Sequence, residues 1–256
     1  MKNWFHQAWR PALVMFVILV GWEFACRMFQ VPSWLLPTPT EIGVEIVQGW
    51  RDYHHHVLST VHLTLVGFVI GVSVGIMVAV MLHLLPKVHQ AVYPLMILSQ
   101  NIPIIVLAPL LVTWFGFDDL PKLIIITLVC FFPIAVNMID GLKRTDQDLI
   151  HYMKMAGAQK RQIFTKLEFP YSLPSMFSGL KISATYSVMG AVISEWLGGN
   201  RGIGVYMTLA SSSFRTDRVF VAIFIIMVLC MVFFGLILLA EKLLIRSQSS
   251  GKEDQS

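Results

Sequence analysis

VFVAIFIIMVLCMVFFGLILLA, residues Val219–Ala240, runs for 22 residues without a charged side chain. The hydrocarbon core of a bilayer is about 30 Å thick and is crossed by about 20 residues of helix, so this stretch reads as a membrane span. Outward from it the signal recurs. Leu63–Leu82 supplies 20 uncharged residues, Leu123–Ile139 supplies 17, and Ala91–Phe117 supplies 27, interrupted by Pro94, Pro103 and Pro109. Phe169–Glu195 is broken only by Lys181, and Pro11–Phe29 carries Glu23 and Arg27, spaced to pair across one helical turn. Six spans are expected, near residues 11–29, 60–85, 92–116, 121–141, 172–196 and 219–244. The fold class is all-α, because open sheets cannot satisfy their edges in lipid and no stretch alternates as a barrel strand does.

Composition agrees. Apolar residues make up 56% of the 256 and charged residues only 13%. That is about half the charged share of a soluble domain. The three cysteines, Cys26, Cys130 and Cys230, each sit in an apolar run and form no metal or disulfide spacing. No A-x-A site follows the first span, and Glu23 and Phe24 do not suit a lipid-attachment site at Cys26, so a retained first helix is expected.

Lys and Arg set the orientation. With the N-terminus in the cytosol, twelve fall on the cytosolic side and six outside, with Lys181 inside a span. Both termini and the loop 142–171 are then cytosolic, segments 30–59 and 197–218 are outside, and the polar tail 247–256 is expected to be disordered. Gly67, Gly71, Gly75 and Ala79 recur every fourth residue and present a smooth face for close helix packing, within the chain or between two copies.

Enzymatic signatures are missing. No HExxH, phosphate loop or Cys-His ligand set occurs. Gly71-Val-Ser-Val-Gly75 matches a nucleophile elbow only in letters, since it lies mid-span without a strand before it. Gly198–Gly204 reads as a flexible outer turn. His54, His55 and His56 are consecutive in an outer loop, a geometry that seldom brings three rings to one metal. No catalytic, cofactor or metal site is expected.

The loop 142–171 is the informative segment. Thr145 and Asp148 have the spacing of a capping box. Leu149, Ile150 and Met153 form an apolar face, Ala156-Gly157-Ala158 a turn, and Ile163, Phe164 and Leu167 a second apolar face that ends at Pro170. Two short amphipathic helices need something to bury against, either the protein's own helix ends, the lipid surface or a partner.

The run from Met155 to Pro170, followed by Leu173-Pro174 and Gly179-Leu-Lys181, resembles the EAA loop of ABC-importer permeases. Gly157, Phe164, Pro170, Pro174, Gly179 and Lys181 fit that signature, although His151, Tyr152 and Met153 replace its Glu-Ala-Ala. Leu36-Pro-Thr-Pro39 and Ile102–Gly116 resemble the nitrate/sulfonate/taurine-type permeases, and with Ser99-Gln100-Asn101 ahead they look closest to the branch importing thiamine-pyrimidine precursors or riboflavin. The resemblance implies a type I (MetI-like) permease fold in the bacterial cytoplasmic membrane. It also implies a homodimer, two cytosolic ATPase subunits that hold the ATP, and an extracytoplasmic solute-binding protein. No nucleic-acid partner is implied. Coupling to the ATPase would fall on Met153, Lys154, Ala156, Gly157, Ala158, Arg161, Ile163, Phe164, Leu167 and Pro170. The solute path would draw on Gln100, Asn101, Pro103, Asn137, Ser187 and Glu195, polar or helix-breaking positions that lipid would otherwise exclude. A secondary transporter or channel is the competing class. It lacks support from any internal hydropathy repeat or mid-membrane acidic cluster.

Overall fold

A computed structural model describes the backbone of residues 2–253 and the side chains of residues 9–245. Within these residues the regular structure is entirely helical. Helix α1 is Lys2–Met28, α2 Pro39–Gln48, α3 Trp50–Leu84, α4 Pro86–Ser99, α5 Ile104–Phe115 and α6 Asp119–Lys143. Helices α7 (Gln147–Met155) and α8 (Lys160–Ile163), a π turn (Phe164–Glu168), α9 (Phe169–Trp196), α10 (Ile203–Ser212) and α11 (Thr216–Glu253) complete it. Five helical stretches among the described residues are long and apolar enough to cross a membrane. A sixth span exists if α4 and α5, bent by 99° at their junction, count as one.

The departures from the expected boundaries have local causes. The expected span 92–116 is two helices because Pro103 supplies no amide and disfavours helix at Ile102, so the chain turns there. Segment 30–59 is largely helical. A capping box starts α2, in which Glu41 N–H donates to Thr38 Oγ1 and Thr38 N–H donates to the Glu41 carboxylate at 2.8 Å. Helix α3 begins one residue after α2 ends, which places His54–His56 on a helix. Part of segment 197–218 is also helical, as α10. Pro170 does not stop the second loop helix, and Pro174 lies inside α9 rather than opening it. Residues Lys160–Trp196 form one continuous helical body, with Phe169 N–H bonded to Phe164 O through the π turn. In a regular helix the Pro170 ring would collide with the Lys166 carbonyl; the wider turn relieves that contact. Helix α11 continues through residues 247–253 of the tail expected to be disordered, with no proline to interrupt it. Residues 254–256 lie outside the described residues.

Helix α6 is the centre of the packing, held between α3 and α9. Small residues allow the approach. A Cβ at Gly67 would stand 2.6 Å from Ile126, at Gly71 2.6 Å from Cys130, at Gly75 2.8 Å from Phe131 O, and at Gly179 2.6 Å from Pro133 O. The glycine row of α3 therefore faces α6 within the chain. Ser183 Oγ donates to Cys130 O at 2.7 Å, and Cys130 Sγ–H donates to Ser183 O, which joins α6 and α9 where water cannot. Lys181 and Glu241 pair at 2.9 Å between α9 and α11. Helix α1 is almost bare of protein contact, as suits a lipid-facing helix. Glu23, paired with Arg27 Nε of the same helix at 2.6 Å, ties it to α2 by accepting from the Thr40 hydroxyl at 2.8 Å.

Candidate coupling surface and membrane path

Helix α7 hangs between α6 and α8 at one end of the bundle. Its cap is Asp146, whose carboxylate accepts from Asp148 N–H at 2.8 Å, and not the expected Thr145. Thr145 is buried, and its hydroxyl has no partner among the described residues. The C-terminus closes in a Schellman motif. Ala158 N–H donates to Met153 O and Gly157 N–H to Lys154 O, each at 3.0 Å, with Gly157 at φ +82°. A Cβ on Gly157 would meet nothing within 4 Å, so within this chain glycine is needed for its backbone angle and not for close approach.

The two faces of the loop have different destinations. Ile150 and Ile163 are buried against this chain's own helix ends, and Met153, Ala158, Phe164, Leu167 and Pro170 are half-buried. Phe164 lies 5.9 Å from the His83 ring and 6.1 Å from Phe169, and His83 Nε2 is 3.1 Å from the Glu168 carboxylate. Phe164 thus contacts α3 and α9, and Ile163 is buried within the chain, so neither is a group offered outward, a correction to the sequence expectation. The outward apolar stripe is Leu149, Tyr152 and Met155, spaced every third residue and 46%, 68% and 81% exposed. Lys154, Ala156, Gly157 and Arg161 are exposed beside it. Tyr152 and Met155 stand out only once Ile150 is seen to face inward, which fixes the rotation of the helix.

The path candidates separate in the same way. Gln100 and Asn101 are exposed at the break between α4 and α5, and Pro103 is the N-cap of α5. Asn137 donates to Pro133 O at 2.8 Å inside α6, covering a carbonyl near the proline. Ser187 is fully buried and donates to Ala184 O of its own helix at 2.8 Å. Glu195 is 1% exposed, so neither Ser187 nor Glu195 presents atoms to a path.

Glu195 instead holds a clasp that sequence reasoning missed. Thr60 Oγ1 donates to one of its carboxylate oxygens and Gly204 N–H to the other, each at 2.8 Å. Ile203 N–H donates to Thr60 Oγ1 at 2.8 Å, and Gly202 N–H to His56 Nδ1 at 3.1 Å. The glycine-rich run 198–204 is therefore a backbone cradle for a carboxylate of the same chain, at the N-terminus of α10. Gly202 sits at φ +123°, where a Cβ would fall 2.1 Å from the Glu195 carboxyl carbon. Tyr206 packs beside this clasp, and burial pushes its phenol up to about 12. On the same side Arg218 pairs with Glu45 at 2.9 Å and Asp52 at 3.1 Å, and Arg215 with Asp217 at 2.7 Å. No group of three metal-ligating side chains converges among the described residues.

Comparison with known proteins places this architecture. Residues 71–246 match the family described as Binding-protein-dependent transport system inner membrane component. The formylaminopyrimidine transport permease protein ThiX of Halalkalibacterium halodurans is 36% identical over 241 residues, covering 94% of this chain and 96% of that protein. The riboflavin transport system permease protein RibX of Chloroflexus aurantiacus is 27% identical, covering 94% and 92%. The taurine transport system permease protein TauC of Escherichia coli is 27% identical, covering 83% and 80%. A multi-pass helical bundle, a short helix slung between two spans and near full-length similarity to transport permeases lead to one assignment: the chain belongs to the binding-protein-dependent inner membrane components, the permease subunits of ABC importers.

Proposed function

We propose that this chain forms the solute path of an ATP-driven importer as a homodimer, with both termini in the cytosol. Two cytosolic ATPase subunits bind and hydrolyse the ATP, and α7 of each copy seats on one of them. An outer binding protein delivers the solute, a small organic molecule of the formylaminopyrimidine kind. The observation that carries the reading is the stripe Leu149, Tyr152 and Met155. Three large apolar side chains on a nine-residue helix are left to solvent beside Lys154 and Arg161, while Ile150 on the helix's other face is buried and the π turn that follows contacts α3 through Phe164 and Glu168. Such a stripe is the central apolar patch of an interface with a charged rim. Identity of 36% to a formylaminopyrimidine permease, against 27% to taurine and 25% to nitrate permeases, favours the pyrimidine class.

ATP-driven closure of the ATPases would move α7, and the His83–Glu168 and Phe164 contacts would pass that motion to the ends of α3 and α9. The test is co-purification of tagged chain from native membranes in mild detergent, with partners identified by mass spectrometry. An ATPase subunit near one-to-one is the expected result. Purification alone, with solute movement in vesicles that contain no ATP, would replace the importer by a secondary transporter.

A further inference from the structure

Where α4 gives way to α5, the chain lines a half-open cavity of about 560 Å³. This lies within the range of about 300–1,000 Å³ of small-molecule sites. The break supplies Gln100 and Pro103, α6 supplies Leu128, Phe131 and Phe132, and α9 supplies Tyr186. The Ser99 hydroxyl at its edge is committed to Met96 O at 2.7 Å. The Gln100 amide and the Tyr186 hydroxyl have no hydrogen-bond partner among the described residues, and both residues are exposed to the cavity side. No ionisable side chain other than this phenol lines it. The nearby cation of α9, Lys181, is neutralised by Glu241 at 2.9 Å.

These features select a ligand class. A sulfonate or nitrate brought to this depth would shed water and meet no cation, which is costly in a low-dielectric setting. A flat uncharged ring meets aromatic faces on two helices, which favour offset stacking. A carboxamide can donate through its NH2 to a ring nitrogen and accept through its oxygen from an exocyclic amino group, and a phenol adds a further donor. We propose that Gln100 and Tyr186 are the recognition pair of a site for a neutral, planar nitrogen heterocycle within the membrane path. The pair sets the path's preference for such solutes over inorganic and sulfonate anions. This rests on the importer reading above.

The experiment uses proteoliposomes holding the permease with its ATPase and binding protein, and two probes, labelled formylaminopyrimidine and labelled taurine. Wild type should take up the pyrimidine with ATP and leave taurine at background. Gln100→Leu and Tyr186→Ala should each raise the apparent KM for pyrimidine uptake about tenfold, while ATP hydrolysis stimulated by the loaded binding protein stays within about twofold of wild type. Tyr186→Phe, which keeps the ring and removes the hydroxyl, should fall between wild type and Tyr186→Ala. Unchanged uptake in both Gln100→Leu and Tyr186→Ala, or wild-type uptake of taurine to the level of the pyrimidine, would overturn the site. Equal loss of uptake and stimulated hydrolysis in the variants would make the two residues structural. Wild-type vesicles that neither hydrolyse ATP with the partners nor take up either probe would sink the importer reading itself.

Discussion

Glu195 illustrates how far a residue's type can mislead about its task. A carboxylate near the end of an apolar span suggests a path or a coupling ion, yet both oxygens are held by Thr60 and by the backbone of α10. Glu195→Ala should leave the Thr60 hydroxyl and the Gly204 amide without this acceptor, at about 1–3 kcal/mol for each buried group. The expected outcome is a thermal unfolding midpoint several degrees lower in detergent, followed by intrinsic fluorescence, with Glu195→Gln falling between. Gly202→Ala should do comparable damage from the other side of the clasp, since its Cβ would overlap the same carboxylate at a backbone angle that L-residues avoid. An unchanged midpoint in both would mean that the clasp contributes nothing to holding α10. The sequence held a trace of this arrangement in its glycine run, but the partners lie 143 and 135 positions apart for Ile203–Thr60 and Thr60–Glu195, and no local pattern connects them.

At the level of single elements, α7 and the bent pair α4–α5 carry the proposed coupling and recognition roles. The amphipathic pattern of 147–155 was readable, but its inward side was not. Leu149 and Ile150 are adjacent apolar residues, and only packing decides that Ile150 is buried and Leu149 exposed. Tyr152→Glu with Met155→Glu should leave the unfolding midpoint unchanged, because neither side chain is packed in the chain. Recovery of the ATPase subunit in co-purification should fall about tenfold or more, as expected for apolar anchors at an interface centre. Retained co-purification would remove α7 from the ATPase contact. Gly157→Ala should cost about 1–2 kcal/mol through its left-handed backbone angle alone. Gly157→Arg should still assemble in the membrane while abolishing transport-coupled ATP hydrolysis. The break at Pro103 was marked in the sequence by three prolines and two amides, whereas its 99° angle depends on how α5 packs on α6.

Across the whole molecule, three helices carry the core and the rest lean on them through a few polar ties. Lys181–Glu241 is such a tie, and each side chain is about four-fifths buried. Lys181→Met alone leaves a carboxylate unpaired at membrane depth and should destabilise by about 3 kcal/mol, while Lys181→Met with Glu241→Leu should recover most of that loss. Thermal unfolding of the two variants checks it, and equal midpoints would show that the pair is solvated. Orientation is open to cysteine labelling. Asn200→Cys should react with an impermeant maleimide from outside intact cells, and Tyr152→Cys only after permeabilisation; the reverse pattern would invert the topology. The sequence by itself determined the membrane class, a helical fold of about six spans and the loop that resembles a coupling segment. Those follow from run length, charge distribution and short motifs, all local quantities. Only the tertiary structure decided which glycine row meets which helix, that Glu195 serves the interior through Thr60, and that Gln100 and Tyr186 share a cavity. Each of these depends on contacts between residues far apart in the chain, where shape and hydrogen-bond satisfaction choose among arrangements that the local pattern leaves equivalent.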